Sequence, residues 1–492
     1  MTPPSPPRPP HPLNPEGIGA MLMTGFPQYQ PRPARVFEWR VSAATQAVAA
    51  SAPVHPAPPS YNQAVHIMCG RAQKAAGINA PSWLGAVFEI PGAVDLDAMG
   101  AAFLDWINRH DTLRSGFRQD MSRFMVPAED ISLDLHDLGE QPTTEGLLAL
   151  LQDRFNEATD PSTWPCTVTG VLQREDSSTV YVMFDHSNTD GLSMGMLASE
   201  IEELYRARLE QREAKVRDAG SFVDFCVRER TENNAELDEL SIRRWTNFVR
   251  SGDGQLSTFP LDLGVTPGQL YPQISEFYSI LDAGTAARFE KACKELGGGM
   301  FPGLVAAIAM TFQELGGIDE YRTVMPVHTR NSTDLAATLG WLINVVPLEL
   351  QLEGARDFGE IMRRARAATK ESFALGKVPL GKVAVQLADM FQTNKRDMFS
   401  MISYMDFRIM PNSEKHREQD FRAIGAVSQA DEPHLWFNRT HEELYMWTRY
   451  PETATSASVL NSVVARITAI LSAVATGVNV PVRERQSTLL VG

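Results

Sequence analysis

From Ser178 the chain reads STVYVMFDHSNTDG, and no other stretch restricts its fold as strongly. Val180 to Phe184 are apolar without alternation, so a strand here is buried on both faces. It ends abruptly in Asp185 and His186. Gly191 follows five residues later and opens an amphipathic helix from Leu192 to about residue 213, with Leu197, Ile201, Leu204 and Tyr205 on one stripe. Such a strand needs neighbouring strands and covering helices. The surroundings supply them: strands at 82–92 and 165–173, and helices at 95–110 and 143–158. Leu96, Met99, Phe103, Trp106 and Ile107 recur at helical spacing in the first of these helices.

A second series of the same kind runs from 274 to 475, with strands around 274–282, 321–330, 342–352, 401–407 and 441–451 and helices between and after them. The charged stretch 227–250 reads as a solvated helical connector between the two series. A chain of 492 residues exceeds what one core organises, and two units of roughly 200–250 residues are expected. The expected division is a disordered proline-rich tail over 1–34, a first subdomain over 35–215 and a second over 216–492, each α/β (α+β) with a mixed sheet and flanking helices. "ARVFEWRVS" reads as a short strand after the tail, and 42–63, rich in alanine and proline, as a loop or linker.

The net charge of -15 argues against a nucleic-acid binder, which needs a basic face. The four cysteines, Cys69, Cys166, Cys226 and Cys293, form no C-x-x-C pair, so no metal cluster or disulfide scaffold is expected and a reducing compartment is the simplest home. The N-terminus lacks the apolar segment of a signal peptide, and no run approaches the roughly 20 apolar residues of a membrane span. The stretch 299–312, interrupted by Pro302, reads as a buried helix. The expectation is a cytoplasmic protein, with a peripheral membrane contact left open.

His186 at a strand end has several readings. A neutral imidazole there could accept a proton from a hydroxyl or an amine. Asp190 would then hold the loop by pairing with an arginine, and Gly191 would permit a backbone turn or close approach. A plain structural histidine competes with that reading. A metal pair His186/Asp190 lacks further ligands, and a serine triad lacks its G-x-S-x-G elbow.

Three stretches in the same order carry a resemblance. "DHSNTDG" (185–191) resembles the H-H-x-x-x-D-G motif of the condensation-domain and chloramphenicol-acetyltransferase-like acyltransferases. "NRHDTLRSGF" (108–117) resembles their R-H-x-x-L-R-T-x-F motif, and "LGWLINVVPLEL" (339–350), preceded by Arg330, their I-G-x-F-V-N-x-x-P segment. "PPSYNQAVHIM" (58–68), "ISYMDFRIMPN" (402–412) and "WFNRTHEELYMWTRYPETATSA" (436–457) are similar to the actinobacterial polyketide-associated acyltransferases, which build acylated trehalose and related lipids. The likeness spans about 35–480. One position departs: the first His of the double-His motif is Asp185.

The resemblance implies two acyltransferase-like subdomains in a V-shaped pseudo-dimer with the active site in a tunnel between them. It implies His186 as general base, and Asp190, Gly191, Arg114 and Arg330 as structural residues near it. Asp190 is expected to pair with Arg114. Asp185, Trp341 and Asn344 are candidates for the tunnel wall or oxyanion site, with the Gly191 N–H a further oxyanion candidate; Met194 is a further tunnel candidate, and core packing is the competing account of Trp341 and Met194. No permanently bound cofactor or metal is implied. The donor would be a phosphopantetheine thioester, on coenzyme A or on an acyl carrier protein of a polyketide synthase, and the acceptor a small-molecule alcohol or amine. A monomer is expected. Three functions follow: an O-acyltransferase acting on a sugar or lipid alcohol, a free-standing condensation enzyme forming an amide or ester, and a catalytically silent carrier-protein-binding module. The intact His186 and Asp190 argue against the third.

Overall fold

The computed structural model describes residues 22–78, 80–232, 235–391 and 399–483. Two seven-stranded sheets form its frame. The first runs, in spatial order, Leu22–Gly25, Arg422–Gly425, Trp83–Pro91, Ser177–Asp185, Thr167–Gln173, Ala34–Val41 and Leu133–Gln141. The second runs Ile343–Gln351, Glu320–His328, Met401–Asp406, His434–Arg439, Glu443–Pro451, Tyr271–Asp282 and Gln429–Ala430.

The apolar run sits at the centre of the first sheet, antiparallel to Trp83–Pro91 on one side and Thr167–Gln173 on the other. Val180 to Phe184 are buried to within 1% of their surface. Helices Leu96–Arg109 and Gly191–Leu209 pack on one face, where Phe103, Trp106, Leu197 and Ile201 join Val180, Val182 and Phe184 in one core. Leu147, Leu151 and Phe155 of helix Thr144–Ala158 cover the other face with Tyr181 and Met183. This two-sided cover is what an unalternated apolar strand requires.

The second sheet is covered by helices Ala283–Glu295, Met300–Gly316, Phe358–Leu375 and Ser456–Ala475. Pro302 falls in the first turn of its helix, where a missing N–H costs nothing, and Gly317 ends that helix in the left-handed conformation at φ 69°. Ser456–Ala475 is long and apolar enough to cross a membrane, but its stripe Val459, Leu460, Val463, Val464, Ile467, Ile470 and Leu471 is buried in the second core.

The structure redraws four sequence-based expectations. Leu22–Gly25, inside the expected tail, is a strand; it pairs in parallel with Arg422–Gly425, a partner no local signal reveals. Residues 1–21 lie outside the described residues. Within the expected linker, Ala43–Ser51 is a helix capped by the Ser42 side chain, in keeping with the high helix propensity of alanine. The expected solvated connector forms helices Phe222–Thr231 and Ala235–Ser251, and Trp245, Phe248 and Val249 are buried against Val324, Val378 and Val383. Finally, Arg422–Gly425 leaves the second series and pairs with Trp83–Pro91 of the first sheet, so the boundary at 215/216 does not separate two closed units.

Candidate active site

At the end of the central strand the Asp185 side chain accepts the Ser187 N–H at 3.0 Å and turns the chain into one 3₁₀ turn, His186–Asn188. Asp190 then caps helix Gly191–Leu209 by accepting the Ser193 N–H at 2.8 Å. Two acidic caps five residues apart, the first closing the buried strand and the second opening the helix, thus place His186 on a short, fixed loop between sheet and helix.

The second half closes over this loop. Both Asp190 oxygens accept from the Arg330 guanidinium, at 2.7 and 3.0 Å, and one also accepts the Leu342 N–H at 2.9 Å. Arg330 donates further to the Ser193 hydroxyl and the Thr338 carbonyl. Asp190 has no exposed surface. Burial works to raise its carboxyl, but the charge and hydrogen bonds of Arg330 outweigh it and hold the group below the usual carboxylate range. The expected partner was Arg114. Its guanidinium instead donates to the Val126 carbonyl at 3.0 Å, because Arg114 ends the short helix Asp111–Arg114 and faces the strand pair Ser115–Phe117 and Arg123–Met125. The stretch 108–117 reaches the site otherwise: the Thr112 hydroxyl donates to the Asn188 side chain at 2.9 Å, and Asp111 caps helix Phe222–Thr231.

His186 stacks on Trp341 of the second half, with ring centroids 4.0 Å apart and planes at 29°. Burial pushes its pKa down to about 4, and His66 adds to the effect. The imidazole is therefore neutral at physiological pH. Its Nδ1 is buried and is not hydrogen-bonded to any other described residue, while a hydrogen bond of the ring to the backbone of His186 itself works against the effect of burial.

Sequence reasoning missed one residue here. His66, on helix Tyr61–Ala75, lies with its ring 6.2 Å from that of His186 and edge-on to Trp341 at 5.5 Å. Its Nε2 meets the Asp185 carboxylate at 2.9 Å, and Ser82 donates to the same oxygen at 3.1 Å. Asp185, fully buried, would be raised by desolvation, but its bonds to His66 and Ser187 hold it low. The residue in place of the motif's first histidine thus anchors an imidazole from another element. A signal was present: Gln63 and His66 stand beside Ile67 on the inward side of that helix. The buried Arg123 secures that helix, donating to the Ala57 and Pro58 carbonyls and the Gln63 side chain.

Gly191 lies close to Met405: a Cβ there would stand 2.7 Å from its sulfur and would push the end of that side chain aside. Asn344, a candidate oxyanion donor, is fully used elsewhere. Its amide donates to the Gly376 and Val378 carbonyls, and its oxygen accepts the Val345 and Leu380 N–H groups, so it has no free donor for a substrate. Met194 is buried in the first core, away from any open surface. Among the described residues no group of three or more His, Cys, Asp and Glu could hold a metal.

The condensation-domain family model matches residues 80–489. The 2'-acyl-2-O-sulfo-trehalose (hydroxy)phthioceranyltransferase PapA1 of Mycobacterium tuberculosis is 30% identical over 93% of this chain and 88% of its own length. The trehalose-2-sulfate acyltransferase PapA2 of the same species is 26% identical over 90% and 95%. The solved structure of the PapA2 acyl transferase superposes with a TM-score of 0.83 at 24% identity, covering 92% of this chain and all of that one. The X-domain of teicoplanin biosynthesis follows the same fold, with a TM-score of 0.65 at 18% identity over 89% and 99%. The chain belongs to the condensation-domain family and is an acyltransferase of the kind represented by PapA1, PapA2 and PapA3.

Proposed function

We propose that the enzyme transfers a fatty or polyketide acyl group from a phosphopantetheine thioester, on coenzyme A or a carrier protein, to a hydroxyl of a sugar or glycolipid acceptor, with His186 as general base. The observation that carries this reading is His186 itself: a neutral, half-buried imidazole on a fixed loop where the two halves meet. In the reaction, Nε2 takes the hydroxyl proton as the acceptor oxygen bonds to the thioester carbonyl carbon. The tetrahedral adduct collapses by breaking the C–S bond, and the imidazolium returns the proton to the departing sulfur. An alcohol is too weak an acid to ionise first, so proton removal has to accompany attack.

Asp190 and Arg330 fix the loop and touch no reacting atom in this mechanism. With Asn344 occupied, the Gly191 N–H, in a first helical turn whose N–H groups lack intrahelical acceptors, is the oxyanion donor retained. The two substrates would reach His186 from opposite sides through a tunnel between the halves. The acceptor choice follows the relatives, whose names specify sulfated trehaloses. We place the enzyme in the cytoplasm as a monomer that meets carrier proteins and the membrane surface transiently.

The test offers purified enzyme an acyl-coenzyme A and an acyl carrier protein with two acceptor panels, trehalose and its sulfate ester against aminoacyl thioesters. Ester formation on the sugars, reduced roughly 10²–10⁴-fold in His186→Ala, is expected. Transfer only to amines would replace this reading with that of a condensation enzyme, and no transfer to either panel with that of a silent carrier-binding module.

A further inference from the structure

The second sheet turns one face toward the first half. Side chains alternate between the two faces of a strand. Trp436, Trp447 and Phe277 lie on the inner face and join Phe88, Phe103 and Val182 of the first half in one core, whereas Leu435, Phe437 and Met446 belong to the core behind the sheet. Two residues after Trp447 the same alternation puts Arg449 on the inner face, in register with His434 on one side and Ser275 on the other.

Arg449 is a cation without an anion. Its hydrogen bond among the described residues runs from Nη1 to the Ala426 carbonyl at 2.8 Å, and its buried Nε has no acceptor. Burial pushes its pKa down to about 10 with no carboxylate to counter it, and the guanidinium stays charged at cellular pH. His434 beside it is neutral, held down to about 3 by burial and by Arg449 itself. Other arginines in the interior are answered. Arg330, Arg466 and Arg154 pair with Asp190, Glu314 and Glu38, and Arg123 gives its donors to carbonyl and side-chain acceptors. Arg439 also leaves Nε and Nη1 unpartnered, but it is sealed at 2% exposure and Asp406 and Glu290 act on it. Arg449 combines an unanswered charge with remaining surface, since its side chain is only half-buried and a solute can reach it.

The charge is held in place by two indoles. Its guanidinium carbon lies 5.1 Å from the Trp436 ring and 5.0 Å from the Trp447 ring. The indoles stack on each other at 4.3 Å and 26°, and the Trp447 N–H donates to the Ser275 hydroxyl at 3.0 Å. Aromatic faces attract a guanidinium and leave its N–H edge for an acceptor. A fork preset in this way matches two oxygens of a tetrahedral anion. Its row in the sheet lies four residues from that of Met405, Asn438 and Tyr445, about 13 Å at the usual rise of a strand. Met405 is the residue that adjoins Gly191 beside the His186 loop.

We propose that Arg449 binds an anionic ester group, a phosphate or a sulfate, of a substrate whose reacting end lies at His186. The inference rests on the acyl-transfer reading. In that reading the donor carries a phosphate on its pantetheine arm, and the acceptor, like those in the names of the relatives, carries a sulfate on its sugar. The bound oxyanion takes the unused N–H donors and supplies the missing counter-charge, while Trp436 and Trp447 keep the guanidinium plane fixed.

The experiment compares wild type with Arg449→Met, which keeps the length without the charge, and with Arg449→Gln, each checked for wild-type circular dichroism. Two pairs of substrates are offered: an acyl-coenzyme A against the same acyl-pantetheine, which lacks the phosphate, and trehalose 2-sulfate against trehalose. In Arg449→Met the KM of the anionic member of one pair is expected to rise about tenfold to a hundredfold with kcat nearly unchanged, the scale of one charge-assisted hydrogen bond that holds ground state and transition state alike. The KM of its uncharged counterpart should stay at the wild-type value. The pair affected identifies the source, donor phosphate or acceptor sulfate. If Arg449→Met does not fold, Arg449→Gln is read in its place. Calorimetry adds a readout without turnover: coenzyme A, pantetheine, trehalose 2-sulfate and trehalose are titrated into His186→Ala with and without Arg449→Met. The inference is overturned if the ratio of anionic to uncharged KM is unchanged in both pairs, or if neither anion binds His186→Ala more tightly than its uncharged counterpart. A wild-type enzyme that transfers no acyl group from either donor sinks the acyl-transfer reading instead, and the calorimetric arm then decides the anion site by itself.

Discussion

Replacing Asp190 with asparagine changes one atom and removes one charge, and the structure specifies the cost. Asp190 accepts four hydrogen bonds: two from Arg330, one from the Ser193 N–H and one from the Leu342 N–H. Each carboxylate oxygen accepts two of these bonds, so whichever oxygen an asparagine replaces by NH₂ faces two donors, and two of the four bonds are lost. Arg330, with 6% of its side-chain surface exposed, would keep the Ser193 hydroxyl, the Thr338 carbonyl and one bond to the amide oxygen, none of them charged. A charge pair near 4 Å at an effective dielectric of 20 is worth about 4 kcal/mol, and removing one member of a buried pair typically costs about 3–5 kcal/mol. We expect Asp190→Asn to lose about 3–5 kcal/mol of unfolding free energy, read by urea titration with fluorescence and circular dichroism. The double variant Asp190→Asn/Arg330→Gln should be less destabilised than Asp190→Asn alone, because no charge is left buried and unpaired. The carboxyl is held below its unfolded value, so its stabilising contribution is complete above the unfolded pKa and is lost as pH falls through the folded one. The difference between wild type and Asp190→Asn should therefore shrink below about pH 4. A variant within about 1 kcal/mol of wild type at pH 7, the range of exposed ion pairs, would refute the reasoning.

In wild type, kcat/KM should be flat from pH 8 down to about 5 and fall only below that, since burial puts the His186 pKa at about 4; a limb near 6.5 would show a solvated ring. Gly191→Ala should cost no more than about 1 kcal/mol, because its Cβ meets the flexible end of the partly buried Met405; a loss above about 2 kcal/mol would show that Met405 is held in place. Arg123→Met should release the 57–63 segment and misplace His66, lowering activity more than Arg114→Met does; equal activities of the two variants would show that helix Tyr61–Ala75 is held by other contacts. Asn344→Ala takes a side-chain partner from four backbone groups, of which the Val378 carbonyl is buried and the others partly so, and should destabilise by about 1–3 kcal/mol for the buried one, checked by urea titration.

The central strand, the helices on either side of it and the His186 loop were legible because their signals are local. An unalternated apolar run ends at a capping aspartate, and a second aspartate precedes a glycine at a helix start. The motif stretches at 108–117 and 339–350 correctly pointed to elements that touch the loop, yet they misassigned the contacts within it. Arg114 and Arg330 are both arginines near motif residues, and nothing in a sequence says which guanidinium turns inward; that depends on a bond across 140 positions. Asn344 was a plausible donor by residue type, but its neighbours in space use all its polar atoms. His66 was hidden because an amphipathic reading looks for apolar residues on the inward side of a helix, and here that side is polar where it meets the site. The pairing of Leu22–Gly25 with Arg422–Gly425 was illegible for a related reason: four-residue strands carry almost no periodicity, and their hydrogen bonds are blind to side-chain type.

That late strand has a consequence for how the protein is made. Arg422–Gly425 joins the edge formed by Trp83–Pro91, yet it is synthesised about 200 residues after helix Gly191–Leu209 is complete. At about 5–20 residues per second, a ribosome needs roughly 10–40 s to cover that distance. During this interval the backbone of Trp83–Pro91 presents an unpaired edge, the feature by which nascent chains recruit one another. Leu22–Gly25 waits as well, since among the described residues its ladder partner is the same late strand. The nascent first half is therefore expected to depend on chaperones on the ribosome, and a fragment ending near residue 215 should aggregate when expressed alone, whereas supplying the 422–425 segment in trans should restore its solubility.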